Sequence, residues 1–216
     1  HLSIRRQRQM CIRDRLHTIC SSGRCPNLGE CWGRGTATFM IAGAICTRAC
    51  KFCNTLSGKP LSLDADEPLH IAESVRLMKL DHAVITSVDR DDLPDLGAAH
   101  WAETIREIKR LNPSTTIEAL IPDFQGNVSL INMVTDTRPD IVSHNIETVR
   151  RITPLVRSVA TYECSLKVLK TIAESGITAK SGLMVGLGET PEEVEQTMDD
   201  LLEAGCRILT IGQYLQ

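Results

Sequence analysis

From Thr36 onward the chain alternates short apolar runs with longer amphipathic stretches, and it does so six times. The apolar runs at 36–42, 83–88, 116–121, 140–146, 181–186 and 208–212 read as strands. Between them, apolar residues recur at helical spacing over 69–79, 100–111, 127–135, 164–175 and 191–203. Pro191 after Thr190, followed by Glu192 and Glu193, is a helix start, and Gly176 and Gly205 fall where helices should stop. Strand and helix alternating in this way require parallel strands joined by right-handed crossovers. The expected fold class is therefore α/β, a partial (β/α)6 TIM-type barrel with an N-terminal cysteine-rich extension. Within residues 16–216 there is no internal repeat and no low-complexity segment.

Barrels of this kind gather their sites at the C-terminal ends of the strands. Five segments of this chain belong there: 46–53 after the first strand, Ser87-Val-Asp-Arg-Asp-Asp-Leu-Pro94, Pro122-Asp-Phe-Gln125, His144-Asn-Ile-Glu147 and Gly186-Leu-Gly-Glu189. The first reads Cys46-Thr-Arg-Ala-Cys50-Lys-Phe-Cys53, and a second triplet, Cys20, Cys25 and Cys31, stands just upstream. Three thiolates on one short loop can hold three irons of a cubane [4Fe–4S] cluster, leaving the fourth iron open to a small molecule. Structural zinc is the rival, but zinc sites use four ligands, as separated Cys pairs or Cys with His, and His17 is the one nearby histidine. A secreted disulfide framework is disfavoured, because no signal peptide precedes the chain and cysteines outside the clusters are sparse. Cys164 and Cys206 fall in apolar patterns and read as small buried hydrophobes.

Composition excludes some partners. Aromatic residues make up 3% of the chain and the net charge is −3, which argues against nucleic-acid binding. No apolar run reaches the ~18–20 residues of a membrane helix. Residues 1–15 differ: five arginines against Asp14 give +4, leaving −7 on the rest. That arm fits a nucleic-acid tail or a transit peptide, but it resembles translated adapter sequence more closely. It is read as a non-native or disordered tail and, with Cys11, is set aside. The expected division is then 1–15 as tail, 16–35 as auxiliary-cluster extension and 36–216 as barrel.

The C-x3-C-x2-C loop after the first strand of a parallel α/β chain resembles the radical S-adenosylmethionine superfamily. Phe52 matches the aromatic usual before the last cysteine, though packing alone would also account for it. Gly182-Leu-Met-Val-Gly186-Leu-Gly-Glu189 resembles the superfamily strand whose backbone meets adenine, and Lys180 just before it is a candidate contact to the same cofactor. Ser87 and Asp89 stand where the methionyl amine is often bound, with a cap or turn as the plain alternative. Asn145 and Glu147 are placed to reach the ribose or sulfonium, and otherwise are routine turn residues.

The upstream triplet sharpens the resemblance. Arg24-Cys-Pro-Asn-Leu-Gly-Glu-Cys-Trp32, Gly35-Thr-Ala-Thr-Phe-Met40, Thr86-Ser-Val-Asp-Arg-Asp-Asp-Leu-Pro94, His144-Asn-Ile-Glu-Thr148 and Leu209-Thr-Ile-Gly-Gln-Tyr-Leu-Gln216 look like the lipoyl synthase family over residues 16–216. The resemblance implies two [4Fe–4S] clusters and S-adenosyl-L-methionine. Cys46, Cys50 and Cys53 would hold the catalytic cluster, and Cys20, Cys25 and Cys31 an auxiliary one that gives up sulfide. It implies sulfur insertion at C6 and C8 of an octanoyl group on a carrier-protein lysine. The carrier would be a 2-oxoacid dehydrogenase E2 domain or the glycine-cleavage H protein, and the electron donor a ferredoxin or flavodoxin. No membrane partner is implied, and the location would be the bacterial cytoplasm, or a mitochondrion or plastid in a eukaryote. The family's fourth auxiliary ligand is a serine in an Arg-Ser-Ser-Tyr-like segment, which has no counterpart before Gln216. The chain is thus expected to be a C-terminally truncated fragment, inactive by itself. Two other readings stay open: a different radical sulfur inserter of the biotin synthase type, and a non-catalytic zinc or redox module.

Overall fold

The computed structural model describes residues 17–18 and 28–214, which fall into two compact units, His1–Thr47 with Asn54–Ala119 and Arg48–Cys53 with Leu120–Gln216. The expected tail at residues 1–15, the extension's Cys20 and Cys25, and Gln216 lie outside the described residues.

In the first unit the strand order is β1 (His17–Thr18), β2 (Thr36–Ile41), β5 (His82–Ser87), β6 (Thr116–Leu120). The pair β2 and β5 is parallel, from Thr36 opposite His82 to Ile41 opposite Ser87, while β1 runs antiparallel to β2. Ala37, Phe39, Met40 and Ile41 are all buried, as befits a parallel strand covered on both faces. Helix α1 (Leu28–Gly33) precedes β2; α2 (Glu67–Met78) and α3 (Ala98–Leu111) follow. Along α3, Ala98, Trp101, Ile105 and Ile108 recur every three or four residues and are buried, so one stripe of the helix faces the core. Lys79 ends α2 in a left-handed conformation at φ 53°.

The segment after β2 is not the plain loop expected. Ala42 turns the chain at φ 67°, and Cys46 then lies in a two-residue strand, β3 (Ile45–Cys46), parallel to β4 (Leu56–Ser57). The Gly58 N–H donates to the Cys46 carbonyl at 2.9 Å and ties the ladder's end.

In the second unit β7 (Ile141–Ser143), β8 (Thr178–Val185) and β9 (Ile208–Gln213) are consecutive parallel neighbours. They alternate with α4 (Val128–Thr135), the short α5 (Thr153–Val156), α6 (Tyr162–Glu174) and α7 (Pro191–Glu203). Thr190 opens α7 with a reciprocal capping box with Glu193, which satisfies two otherwise orphaned backbone donors. Gly176 and Gly205, at φ +80° and +85°, follow the ends of α6 and α7, as the sequence suggested.

Strand β7 is shorter than the expected 140–146. It stops at Ser143 because the Ser181 hydroxyl takes over the next backbone groups, donating to the His144 carbonyl at 3.0 Å and accepting from the Ile146 N–H at 3.1 Å. Pairing resumes at Glu147, whose N–H donates to the Gly182 carbonyl at 3.0 Å and whose carbonyl accepts from Met184 at 2.8 Å. Among the described residues no helix is long and apolar enough to cross a membrane.

Candidate radical cluster and cofactor site

Cys46 is buried, and its apolar neighbours in the core are Met40, Ala42 and Val88, with Leu63 packed against them. Two polar groups of Asp89 reach its sulfur. The Asp89 N–H donates to Sγ at 3.3 Å, and the thiol donates to the Asp89 carboxylate at 3.7 Å. Next in sequence, the Thr47 N–H donates to the Asp89 carbonyl at 3.1 Å. The Thr47 hydroxyl lies 2.8 Å from the Asp91 carboxylate and 3.0 Å from the Asp89 carbonyl, and accepts from the Asp91 N–H at 3.1 Å.

The exit of β2 is equally constrained. The Ala42 N–H donates to Glu67, which His100 also contacts at 2.6 Å. The Ala42 carbonyl accepts from buried Arg90, whose guanidinium forks onto Asp92. That fork holds the Asp92 carboxyl below its usual value. Ser87, a predicted cofactor contact, is half-buried and accepts from the Trp101 indole at 3.1 Å, so its hydroxyl also fixes α3.

In the second unit, residues 48–53 carry the other two thiols. The Cys53 N–H donates to the Cys50 carbonyl at 3.1 Å, closing a tight turn that includes half-buried Phe52. The Lys51 N–H donates to the Val156 carbonyl, and the Ala49 N–H to the Ser158 hydroxyl. Arg48 is buried and forks onto Asp123, both contacts at 2.8 Å. Burial by itself pushes the Asp123 carboxyl up, but the Arg48 hydrogen bond and charge reverse this and leave it below normal. The sequence reading had placed 122–125 at a strand end without assigning Asp123. Nothing in a local pattern connects it to an arginine 75 positions earlier.

Asn145, Glu147 and Gly182 meet in the same unit. A Cβ at Gly182 would stand 2.6 Å from Asn145 Oδ1, so this strand position is glycine because Asn145 occupies the space. Desolvation raises the Glu147 carboxyl, against the pull of the Arg157 charge and a hydrogen bond from Asn145. Arg157, set aside at the sequence level, is thus part of this cluster. Its Nη1 donates to Ser165 at 2.9 Å, and its buried Nε has no hydrogen-bond partner among the described residues. Ser165 also lies 3.0 Å from His144 Nε2, while His144 Nδ1 faces the Ile121 carbonyl. That carbonyl can only accept, so Nδ1 carries the proton and Nε2 accepts from Ser165. Burial, then the Arg157 charge, pushes the imidazole down to about 4, so it is neutral near pH 7.

Lys180 shares a strand face with Gly182, mid-strand, and its carbonyl accepts from His144. Gly186 follows β8 directly, at φ +102°. The turn after it is tied by Glu189, whose carboxylate accepts the Gly186 and Leu187 N–H groups. These backbone donors outweigh desolvation and keep that carboxyl low.

The donor set fits an iron–sulfur cluster. Cys46, Cys50 and Cys53 lie within eight residues and form no disulfide, and Cys31 is a half-buried cysteine on α1, also outside any disulfide. Among the described residues no three His, Cys, Asp or Glu side chains converge as a single metal ion requires. A cubane takes each thiolate on a different iron, and three cysteines within eight residues of sequence are a suitable donor set for it. Cys164 and Cys206 are free thiols raised by burial, consistent with packing roles.

Comparison with known proteins agrees with this donor set. The model of the radical SAM superfamily matches residues 40–201. A lipoyl synthase of Phocaeicola vulgatus is 76% identical over 202 residues, 94% of this chain and 71% of that protein. One of Treponema denticola is 59% identical over 202 residues, 94% of this chain and 70% of that protein. Among solved structures, Streptococcus suis SuiB bound to S-adenosylmethionine aligns with a TM-score of 0.66 at 9% identity, covering 88% of this chain and 44% of SuiB. HydG, a maturase of the [FeFe]-hydrogenase, aligns with 0.65 at 14% identity over 87% of this chain and 45% of HydG. These likenesses show the α/β, partial (β/α)6 TIM-type fold. The chain belongs to the lipoyl synthase family of the radical S-adenosylmethionine superfamily.

Proposed function

We propose that this chain carries the radical core of a lipoyl synthase, a sulfurtransferase that inserts sulfur at C6 and C8 of an octanoyl group on a carrier-protein lysine. The observation that carries the reading is the cysteine triplet at Cys46, Cys50 and Cys53, outside any disulfide, in a chain 76% identical to a lipoyl synthase. In this reading the three cysteines hold the catalytic [4Fe–4S] cluster, and Cys20, Cys25 and Cys31 hold the auxiliary one. When bound, the first cluster and S-adenosyl-L-methionine supply a 5′-deoxyadenosyl radical that removes hydrogen, and the second cluster supplies sulfur.

The chain's own residues orient and shield that chemistry. Asp89 and Ser87 are assigned the methionyl end, Asn145 and Glu147 the ribose or sulfonium side, and Phe52, Gly182, Gly186 and Lys180 the remaining cofactor contacts. Glu147, raised by burial and faced by Arg157, is suited to hydrogen-bond a hydroxyl while balancing a cation. The finer partners follow from the same reading: an E2 lipoyl domain or glycine-cleavage H protein as carrier, ferredoxin or flavodoxin as electron donor, and the bacterial cytoplasm as location.

The test is anaerobic reconstitution. The full-length protein should bind about eight irons and convert octanoylated carrier first to a mono-thiolated and then to a lipoylated product. Cys46→Ala should abolish reductive cleavage of S-adenosylmethionine; cleavage that survives it overturns the assignment. Stoichiometric zinc in place of iron would favour the zinc-module reading instead.

A further inference from the structure

We infer that Thr47 is a positioning residue for the catalytic cluster: its hydroxyl latches the Asp89–Asp91 segment so that the Asp89 N–H stays on the Cys46 sulfur. The inference rests on the assignment of Cys46 as a cluster ligand.

Asp89 reaches Cys46 Sγ with two polar groups, its backbone N–H and its carboxylate. On its apolar side stand Met40, Ala42 and Val88, with Leu63 packed against them. In such an apolar shell one N–H donor acts at low dielectric and carries unusual weight. Asp89 has no regular structure to hold it there, because β5 ends at Ser87. Thr47 helps to hold it, through backbone and side chain together. The Thr47 N–H and hydroxyl both address the Asp89 carbonyl, and the hydroxyl also bridges the Asp91 carboxylate and N–H. One residue thus fixes the peptides on either side of Arg90, and does so from the position adjacent to the ligand.

The consequence is electrostatic. A donor on a ligating sulfur stabilises the more negative, reduced cluster and raises its potential. The same thiol gives up its proton on ligation, and the Asp89 carboxylate then faces a like charge. The N–H is the part of Asp89 that remains attractive toward sulfur in both states, which is why its placement matters more than that of the side chain.

Thr47→Val keeps the shape and removes the hydroxyl, and Thr47→Ser keeps the hydroxyl. In the metal-free chain, iodoacetamide labelling read by peptide mapping should show Cys46 modified roughly tenfold faster in Thr47→Val. Exposed Cys53 should be unchanged, and Thr47→Ser should restore the slow rate. After anaerobic reconstitution, the midpoint potential of the cluster, followed by electron paramagnetic resonance, should be more negative in Thr47→Val than in wild type or Thr47→Ser. Equal potentials in all three proteins overturn the inference, whether or not labelling changes, because a purely structural latch would leave the potential in place. Unchanged Cys46 labelling overturns the latch itself. If wild-type chain assembles no cluster on these cysteines, the ligand assignment falls and the inference with it, while the labelling result still reports on the latch.

Discussion

The side-chain amide of Asn145 fills the space that a side chain at Gly182 would need, 2.6 Å from where a Cβ would stand. The two positions are also joined through Glu147, whose N–H donates to the Gly182 carbonyl. Gly182→Ala should therefore force Asn145 out of place and destabilise the chain by about 1–3 kcal/mol, the usual cost of overpacking. Truncating Asn145 to Ala in the same background should recover most of that loss. Denaturant unfolding of the two single variants and the double variant reads both numbers. Additive losses would show that the close approach does not set the glycine.

The Arg48–Asp123 pair offers a second test. Both side chains are almost fully buried, so removing one partner leaves an uncompensated charge, at a cost of about 3–5 kcal/mol. Asp123→Asn or Arg48→Met alone should lower stability on that scale, and Arg48→Met with Asp123→Leu should lose much less. The pH dependence has a definite sign. The folded carboxyl sits below its unfolded value, so the contribution is full above roughly pH 4 and is lost as pH falls through the lower folded value. Unfolding free energies at pH 6 and at pH 3, with Asp123→Asn as control, check this.

How much of this was legible beforehand depends on the range of the interaction. The six strands and five long helices were visible because each carries its own periodicity, and the start of α7 was visible because Thr190, Pro191 and Glu193 lie within four residues. The ladder of Ile45–Cys46 with Leu56–Ser57 was not, since two-residue strands are too short to show a period. The early end of β7 was hidden because a serine that bonds a neighbouring strand's backbone, as Ser181 does, reads in sequence like any other serine. Arg48 sat in plain view inside the C-x3-C spacing, but its partner Asp123 is supplied by the folded chain alone. The same holds for Arg157, whose relation to Glu147 and Ser165 gives no local signal.

His144 makes the third prediction. Its folded value is about 4, against about 6.5 for an unfolded histidine. The unfolded chain takes up a proton that the buried ring refuses, so stability is full above pH 6.5 and falls as pH is lowered toward 4. The loss should approach roughly 3 kcal/mol, at about 1.4 kcal/mol per unit. His144→Gln removes the titrating group while keeping a donor and an acceptor. It should flatten the stability profile between pH 6.5 and 4.5 even if it lowers stability throughout. An unchanged slope would place the proton uptake elsewhere.

The last prediction concerns β9. Its ladder neighbour is β8, and Ile208 and Ile211 are 38% and 49% exposed. Among the described residues β9 is laddered on one side only, and an apolar strand with a row of backbone donors and acceptors open on the other is a template for pairing with another chain. The chain of residues 1–216 should therefore self-associate as its concentration rises, and Ile211→Lys should suppress this by placing a charge on the edge. Leu202 is the control. It is more exposed, at 65%, but sits on α7, where its backbone groups are already paired. Leu202→Lys should leave association nearly unchanged if edge pairing is the cause. Light scattering across a concentration series separates the two variants, and equal suppression by both would attribute association to exposed apolar surface instead.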